Sequence, residues 1–169
     1  IGTDGQGLIQ LYHYDSLFET VHTSHPVRCF CEDEDGNILI GTKGSGIKLL
    51  NPATKELTDY LNESKGLISN SVYALRRNKA NDIFIGTEGT GINILNAATG
   101  RLEKLEIPDK YPPFKAVYNI YFTNNDSLLW VGTSGYGLIK INISREQGRY
   151  HVKGFRQYNS SDKNISLNN

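Results

Sequence analysis

The 169 residues contain no methionine, so the stretch is expected to be a processed product or an excised segment whose initiator lies elsewhere. Net charge is missing as well. Eighteen Lys and Arg balance 18 Asp and Glu, which removes the long-range field that draws a basic domain to nucleic acid or to an anionic membrane. Any binding must therefore be local, and no nucleic acid partner is expected. No apolar run approaches the roughly 20 residues that cross a bilayer as a helix, and neither end shows a signal peptide or lipidation motif. A soluble stretch without membrane insertion of its own is expected. Only two cysteines occur, Cys29 and Cys31. One residue apart in a strand, they point to the same face, which strains any bond between them. They are expected to be small buried side chains, and they say little about compartment.

Glycine, by contrast, is plentiful, and it is ordered. The string Ile1-Gly2-Thr3-Asp4-Gly5-Gln6-Gly7 returns as Ile40 to Gly46 (IGTKGSG), Ile85 to Gly91 (IGTEGTG) and Val131 to Gly137 (VGTSGYG). Its first glycines, Gly2, Gly41, Gly86 and Gly132, lie 39, 45 and 46 residues apart, the length of one four-stranded propeller blade. Ahead of three strings stand apolar triplets, Ile38-Leu39-Ile40, Ile83-Phe84-Ile85 and Leu129-Trp130-Val131, as suits a strand covered on both faces. Trp130 aligns with Leu39 and Phe84, so packing between blades is its expected role.

After each string comes a second strand, marked by Leu8 and Leu11, Ile47 and Leu50, Ile92 and Leu95, Leu138 and Ile141. Polar turns such as Asn51-Pro52-Ala53-Thr54 follow. An outer strand then closes each blade, with Phe18 and Val21, Leu57 and Tyr60, Leu102 and Leu105, Phe155 and Tyr158. The chain returns to an innermost strand at Val27 to Cys31, Val72 to Arg76 and Val117 to Tyr121.

The outer marker precedes the inner valine by 15 residues in two copies, Leu57 to Val72 and Leu102 to Val117, and by nine from Phe18 to Val27. That six-residue deficit accounts for the short first glycine spacing. The same rule expects the next inner valine immediately after Asn169. The pattern thus predicts an all-β chain, a β-propeller fragment of three complete four-stranded blades plus three strands of another. The units are residues 1–26 as an incomplete first blade, 27–71 and 72–116 as blades, and 117–169 as a blade and the start of the next link. A fragment of this kind leaves blade faces open, so self-association or the remaining blades of a larger ring are the expected partners.

With the full repeat laid out, Leu129-Trp130-Val131-Gly132-Thr133 runs through Phe155 and Tyr158 to Ile165-Ser166-Leu167-Asn168-Asn169, and Leu67-Ile68-Ser69-Asn70 is a weaker form of the link. This pattern resembles the two-component regulator propeller repeat and covers essentially the whole chain. The resemblance implies the periplasmic sensor region of a hybrid two-component histidine kinase, as in gut anaerobes, responding to polysaccharide breakdown products. Any kinase activity would lie in domains outside the stretch. Three departures stand out. The first copy lacks the link, most tryptophan positions carry Leu or Phe, and 12 residues separate Asn142 from Phe155 where other copies have five.

The glycine strings do not read as phosphate loops, because short β-like segments such as Ile47-Lys48-Leu49-Leu50 follow them and no helix opens there. Turns that need positive φ are the better account. His22 and His25 have metal-pair spacing but no third or fourth ligand nearby, and His13 and His151 stand alone. No cofactor and no metal are expected. The acids near turns, Asp4, Glu32, Asp33 and Glu88, combine in many ways without selecting a glycosidase pair, so no catalytic residue is assigned.

Binding is more tractable. In a propeller the glycine loops and the starts of the inner strands share one rim. The variable loop positions include Lys43, Glu88 and Tyr136, and the position after each inner valine holds Arg28, Tyr73 and Tyr118. Aromatic faces stack on sugar rings and arginine pairs with the carboxylates of acidic sugars. These six residues are the candidate ligand-binding set for an oligosaccharide; packing between neighbouring blades is the alternative for Arg28, Tyr73 and Tyr118. A non-enzymatic sensor module is the first reading, with a propeller glycan hydrolase or lyase, or a protein-interaction scaffold, as alternatives.

Overall fold

A computed structural model describes residues 3, 7–11 and 18–159. Fourteen strands and one short 3-10 turn at Glu63–Lys65 make up its regular structure. β1 (Leu8–Leu11) and β2 (Phe18–Val21) form an antiparallel pair. β3 (Val27–Glu32), β4 (Ile38–Thr42), β5 (Ile47–Leu50) and β6 (Leu57–Leu61) form the first four-stranded sheet. β7 (Val72–Arg77), β8 (Ile83–Thr87), β9 (Ile92–Leu95) and β10 (Leu102–Lys104) form the second. β11 (Val117–Thr123), β12 (Leu128–Thr133), β13 (Leu138–Glu146) and β14 (Arg149–Tyr158) form the third.

Every sheet is an antiparallel meander in chain order. The fold is all-β, and its three sheets have the form of propeller blades. Only two strands precede them among the described residues; the expected third strand of an earlier blade falls on residues outside that set, as does the link over residues 165–169. The first strands of the sheets neighbour one another, β3 against β7 and β7 against β11, and so line the inside of the array.

Turn chemistry is repeated and local. Thr42 Oγ1 donates to the Gly46 carbonyl at 2.9 Å, and Thr3 and Thr133 make the same bond to Gly7 and Gly137. Asn51 Oδ1 accepts from the backbone N–H of Ala53 and Thr54, and Asn96 Oδ1 from that of Thr99. Asp33 likewise accepts from the N–H groups of Asp35 and Asn37, so this acid holds its own turn. The last glycine of the string has positive φ, 71° at Gly46 and 74° at Gly137, and a Cβ there would lie 2.2 Å from the Leu61 carbonyl oxygen or 2.1 Å from that of Tyr158.

The core lies between the sheets. One cluster joins Leu39 and Ile47, with Cys29 and Cys31 against it, to Val72, Leu75, Ile83 and Ile85 of the second blade. A second joins Ala74, Phe84 and Ile94 to Val117, Ile120, Leu129 and Val131 of the third blade, and a smaller third holds Val27, Ile40 and Leu50. Both cysteines are free. Burial pushes the Cys29 thiol up to about 12.

Leu39 and Phe84 are buried at these junctions, but Trp130 is only half-buried. It stacks on Tyr158, 5.9 Å between ring centres, with Lys140 over its ring. Its side of the third blade has no neighbouring blade among the described residues, so the expected packing between blades is replaced by contacts within its own sheet. Tyr121 and Leu138, 61% and 43% exposed, accompany it. The 12 residues between Asn142 and Phe155 fall in a long β13–β14 hairpin. Tyr150 on this hairpin donates to the carboxylate of Asp82 at 2.7 Å, and Arg145 pairs with the same carboxylate at 3.2 Å.

Candidate functional site

Each inner strand carries a β-bulge in the same place. The register of β3 against β4 jumps between Val27 and Cys29, that of β7 against β8 between Val72 and Ala74, and that of β11 against β12 between Val117 and Asn119. The skipped residues are Arg28, Tyr73 and Tyr118. A bulge leaves one residue out of the ladder and re-aims its side chain. Here three successive bulges send their side chains into a single cavity of about 320 Å³, which Arg76 and Asn119 also line.

Tyr73 and Tyr118 stack, their ring centres 4.6 Å apart and their planes 28° from parallel. Each ring therefore spends one face on the other, and only outer faces remain for a ligand. Tyr118 is half exposed. Burial, then the Glu88 carboxylate, then Tyr118 raise the pKa of Tyr73, opposed by Arg28 and by a hydrogen bond from Ser71. Glu88 and Arg28 thus both act on the phenol.

The glycine loops run past the starts of the inner strands. The Lys43 N–H donates to the Pro26 carbonyl, and Lys43 also bridges Ser71. The Glu88 N–H donates to the Ser71 carbonyl, and its own carbonyl accepts from Ala116. Lys43 is exposed on the loop and does not line the cavity. Tyr136 lies elsewhere: it is half-buried against the cluster between the second and third blades, and its carbonyl accepts from Gln157. The structure therefore gathers Arg28, Tyr73 and Tyr118, sets Glu88 beside them, and leaves Lys43 and Tyr136 apart.

Arg76 and Asn119 were not among the residues expected at the site. Arg76 occupies the register position of Cys31 and Tyr121, four residues after the inner valine. A charged residue at a strand position facing the next blade was the available signal. Its Nε donates to the Ile120 carbonyl of the third blade at 2.9 Å. Among the described residues no three His, Cys, Asp or Glu side chains gather as a metal site; Asp4 and His13 lie outside the described residues. His25 interacts through Nδ1 with Ser24 Oγ.

Comparison with known proteins adds the family of the repeat. Residues 23–44 match the family model of the two component regulator propeller. Those 22 residues are similar to a two-component regulator propeller repeat. In solved structures, the repeat array resembles the extracellular domain assigned to the hybrid two component system BT3049 of B. thetaiotaomicron, with 28% identity and a TM-score of 0.64, over 81% of this chain and 18% of that one. It also resembles the extracellular domain of BT4673 from the same organism, at 21% identity and a TM-score of 0.66, over 89% of this chain and 20% of that one. At that identity the likeness speaks for the fold. The chain thus spans about a fifth of the length of these domains. No curated protein matches it.

Proposed function

We propose that this chain is part of the ligand-sensing propeller of a two-component sensor, with its ligand site where the inner strands begin. The observation that carries this reading is the triple bulge: the inner strand of each blade is bulged at the same register, and the three bulges present Arg28, Tyr73 and Tyr118 to one cavity. The likeness to extracellular domains of two-component systems supports the sensor role. Residues 27–71 and 72–116 act as complete blades, and further blades of a longer polypeptide cover the open face around Trp130 and Tyr121. The periplasm is the compartment, and an oligosaccharide released from a polysaccharide is the ligand. We read the site as one that binds its ligand and does not turn it over. Ligand that binds one arrangement of the sensor better than another shifts its population, which is the signal.

Calorimetry tests this with the natural polypeptide that contains the chain and a panel of neutral and acidic oligosaccharides. Arg28→Ala, Tyr73→Ala and Tyr118→Ala combined should abolish the binding that the unmodified protein shows. Unchanged affinity in the triple variant would remove the site, and turnover of any panel member would favour a glycan hydrolase or lyase.

A further inference from the structure

The third blade departs from the first two on the face that carries Trp130. Lys140 pairs in register with Trp130, where the first blade sets Leu49 beside Leu39 and the second Ile94 beside Phe84. Leu49 and Ile94 both pack into clusters shared with the blade that follows them. On the outer strand Arg156 stands directly opposite Lys140, where the first blade has Thr58 and the second Glu103. Two like charges thus face each other across β13 and β14, an arrangement that by itself weakens a sheet.

The rings beneath them attract the cations without neutralising them. Trp130 and Tyr158 stack, Lys140 Nζ lies 5.5 Å from the centre of the Trp130 ring, and the Arg156 guanidinium lies 4.7 Å from that of Tyr158. Among the described residues no carboxylate pairs with either cation. Asn119, Tyr121, Leu138 and Asn142, whose register positions share the face, are uncharged. The two acids within residues 117–159 are engaged elsewhere, Glu146 with Lys153 and Asp126 with the Lys79 N–H. Asp162 lies outside the described residues.

Other cations on blade faces are answered. Lys48, its side chain 12% exposed, has Asp59 as register partner on β6 and forms an ion pair with it. Arg76 of the second blade donates through Nε to the Ile120 carbonyl of the blade that covers it. One cation is met from its own sheet, the other from the covering blade. Lys140 has a cation where Lys48 has an acid, so its own sheet does not meet it.

Resting on the reading that further blades cover this face, we infer that the blade seated on it presents an aspartate or glutamate to Lys140 and Arg156 together. A carboxylate between an ammonium and a guanidinium accepts charge-assisted hydrogen bonds from both and relieves the like-charge contact across β13 and β14. It replaces with an ion pair the apolar contact that Leu49 and Ile94 make. Its expected place in the covering blade corresponds to Leu95 or Leu102 of the second blade and to Ile141 or Phe155 of the third, which share clusters with Leu49 and Ile94 respectively. The same polypeptide supplies that blade, in keeping with a related extracellular domain of which this chain spans 18%.

Zero-length carbodiimide coupling of the natural polypeptide, read by peptide mass spectrometry, tests this, because it joins an amine only to a carboxylate in contact with it. Lys140 should couple to one Asp or Glu that follows Asn169 in the same polypeptide, with a yield independent of protein concentration. Coupling to another copy, rising with concentration, or coupling to Asp162 overturns the inference. A paired substitution, Lys140→Leu with Arg156→Thr, installs the residues of the first blade and gives an independent measure. Opposite a carboxylate it should lower the thermal midpoint by about 3 °C or more; a midpoint that rises or stays overturns the inference.

An amine-acylating reagent separates this inference from the reading beneath it. Lys140 shielded in the native polypeptide yet coupled to no carboxylate leaves the covering blade standing and removes its acid. Lys140 as reactive as in the denatured polypeptide removes both.

Discussion

The two blade junctions are built on one plan and held together differently. Between the first and second blades the contact is aliphatic and small, Cys29, Cys31, Leu39 and Leu49 against Val72, Leu75, Ile83 and Ile85. Polar ties there sit at the surface, such as Arg77 Nη1 to the Asp33 carbonyl and Asn81 to Glu34. Between the second and third blades the contact is aromatic at its lower end. Phe84 meets Phe122 and Tyr150 edge-on, with ring centres 4.9 and 5.0 Å apart.

The second junction is also clasped. Asp82, fully buried, accepts from Tyr150, from the Ala97 N–H and from Arg145, while Asn78 donates to the Tyr150 hydroxyl. The long β13–β14 hairpin supplies both Tyr150 and Arg145. An insertion in one blade thus reaches back to satisfy a buried carboxylate in the blade before it. A shared repeat sets the spacing of blades; what each copy adds determines how firmly neighbours are joined.

The largest expected effect breaks the clasp. Asp82→Ala leaves the Tyr150 hydroxyl and the Ala97 N–H without their acceptor and should cost about 3 kcal/mol in chemical denaturation, while Tyr150→Phe costs about 1–2. If Asp82→Ala unfolds at the parent midpoint, the clasp does not secure the junction.

Next comes the first glycine of the string, which separates covered from uncovered blades. A Cβ on Gly86 would lie 2.6 Å from Val117 Cγ1 and 2.7 Å from the Val117 carbonyl oxygen, whereas on Gly132 its nearest neighbour is Asn119 Cβ at 3.6 Å. Gly86→Ala should therefore cost about 1–3 kcal/mol and Gly132→Ala less than about 0.5. Equal costs would show that blade contact is not what demands glycine.

The smallest effect needs no substitution. Burial holds the Cys29 thiol neutral to about 12, against an ordinary 9.0, and burial followed by the hydrogen bond to Asp82 holds the Tyr150 phenol neutral to about 12, against 10.0. Both folded-state values are raised, so each contribution is complete below the unfolded value and is lost as pH climbs toward 12. The first junction should weaken first. At about pH 10 it should have lost on the order of 1 kcal/mol and the second junction only a few tenths. Thiolate and tyrosinate absorbance, followed alongside the denaturation midpoint, check this order; a thiolate that forms near its ordinary pKa while the fold stays intact would contradict it.

Much of the site was legible because it repeats. The position after each inner valine drew attention to Arg28, Tyr73 and Tyr118 by alignment alone, but that each sits in a bulge carries no compositional mark. Arg76 escaped notice because its role comes from a third-blade carbonyl 44 residues away. The clasp was visible only as extra length after Asn142, since the partners Asp82 and Tyr150 are 68 residues apart. Tyr136 stands at a rim position by sequence, yet its ring packs into the core between blades.

By itself the sequence determined the repeating unit: strand, polar turn, Thr-anchored glycine loop and return. These depend on positive φ at a glycine and on side chains that bond backbone a few residues away, as Thr42 does to Gly46 and Asn51 to Ala53. Such interactions are local, so each copy states them in full. Tertiary structure decided which glycines are crowded, which way Trp130 packs and how the second junction is clasped. Those outcomes depend on the surface of the neighbouring blade, which lies tens of residues away along the chain.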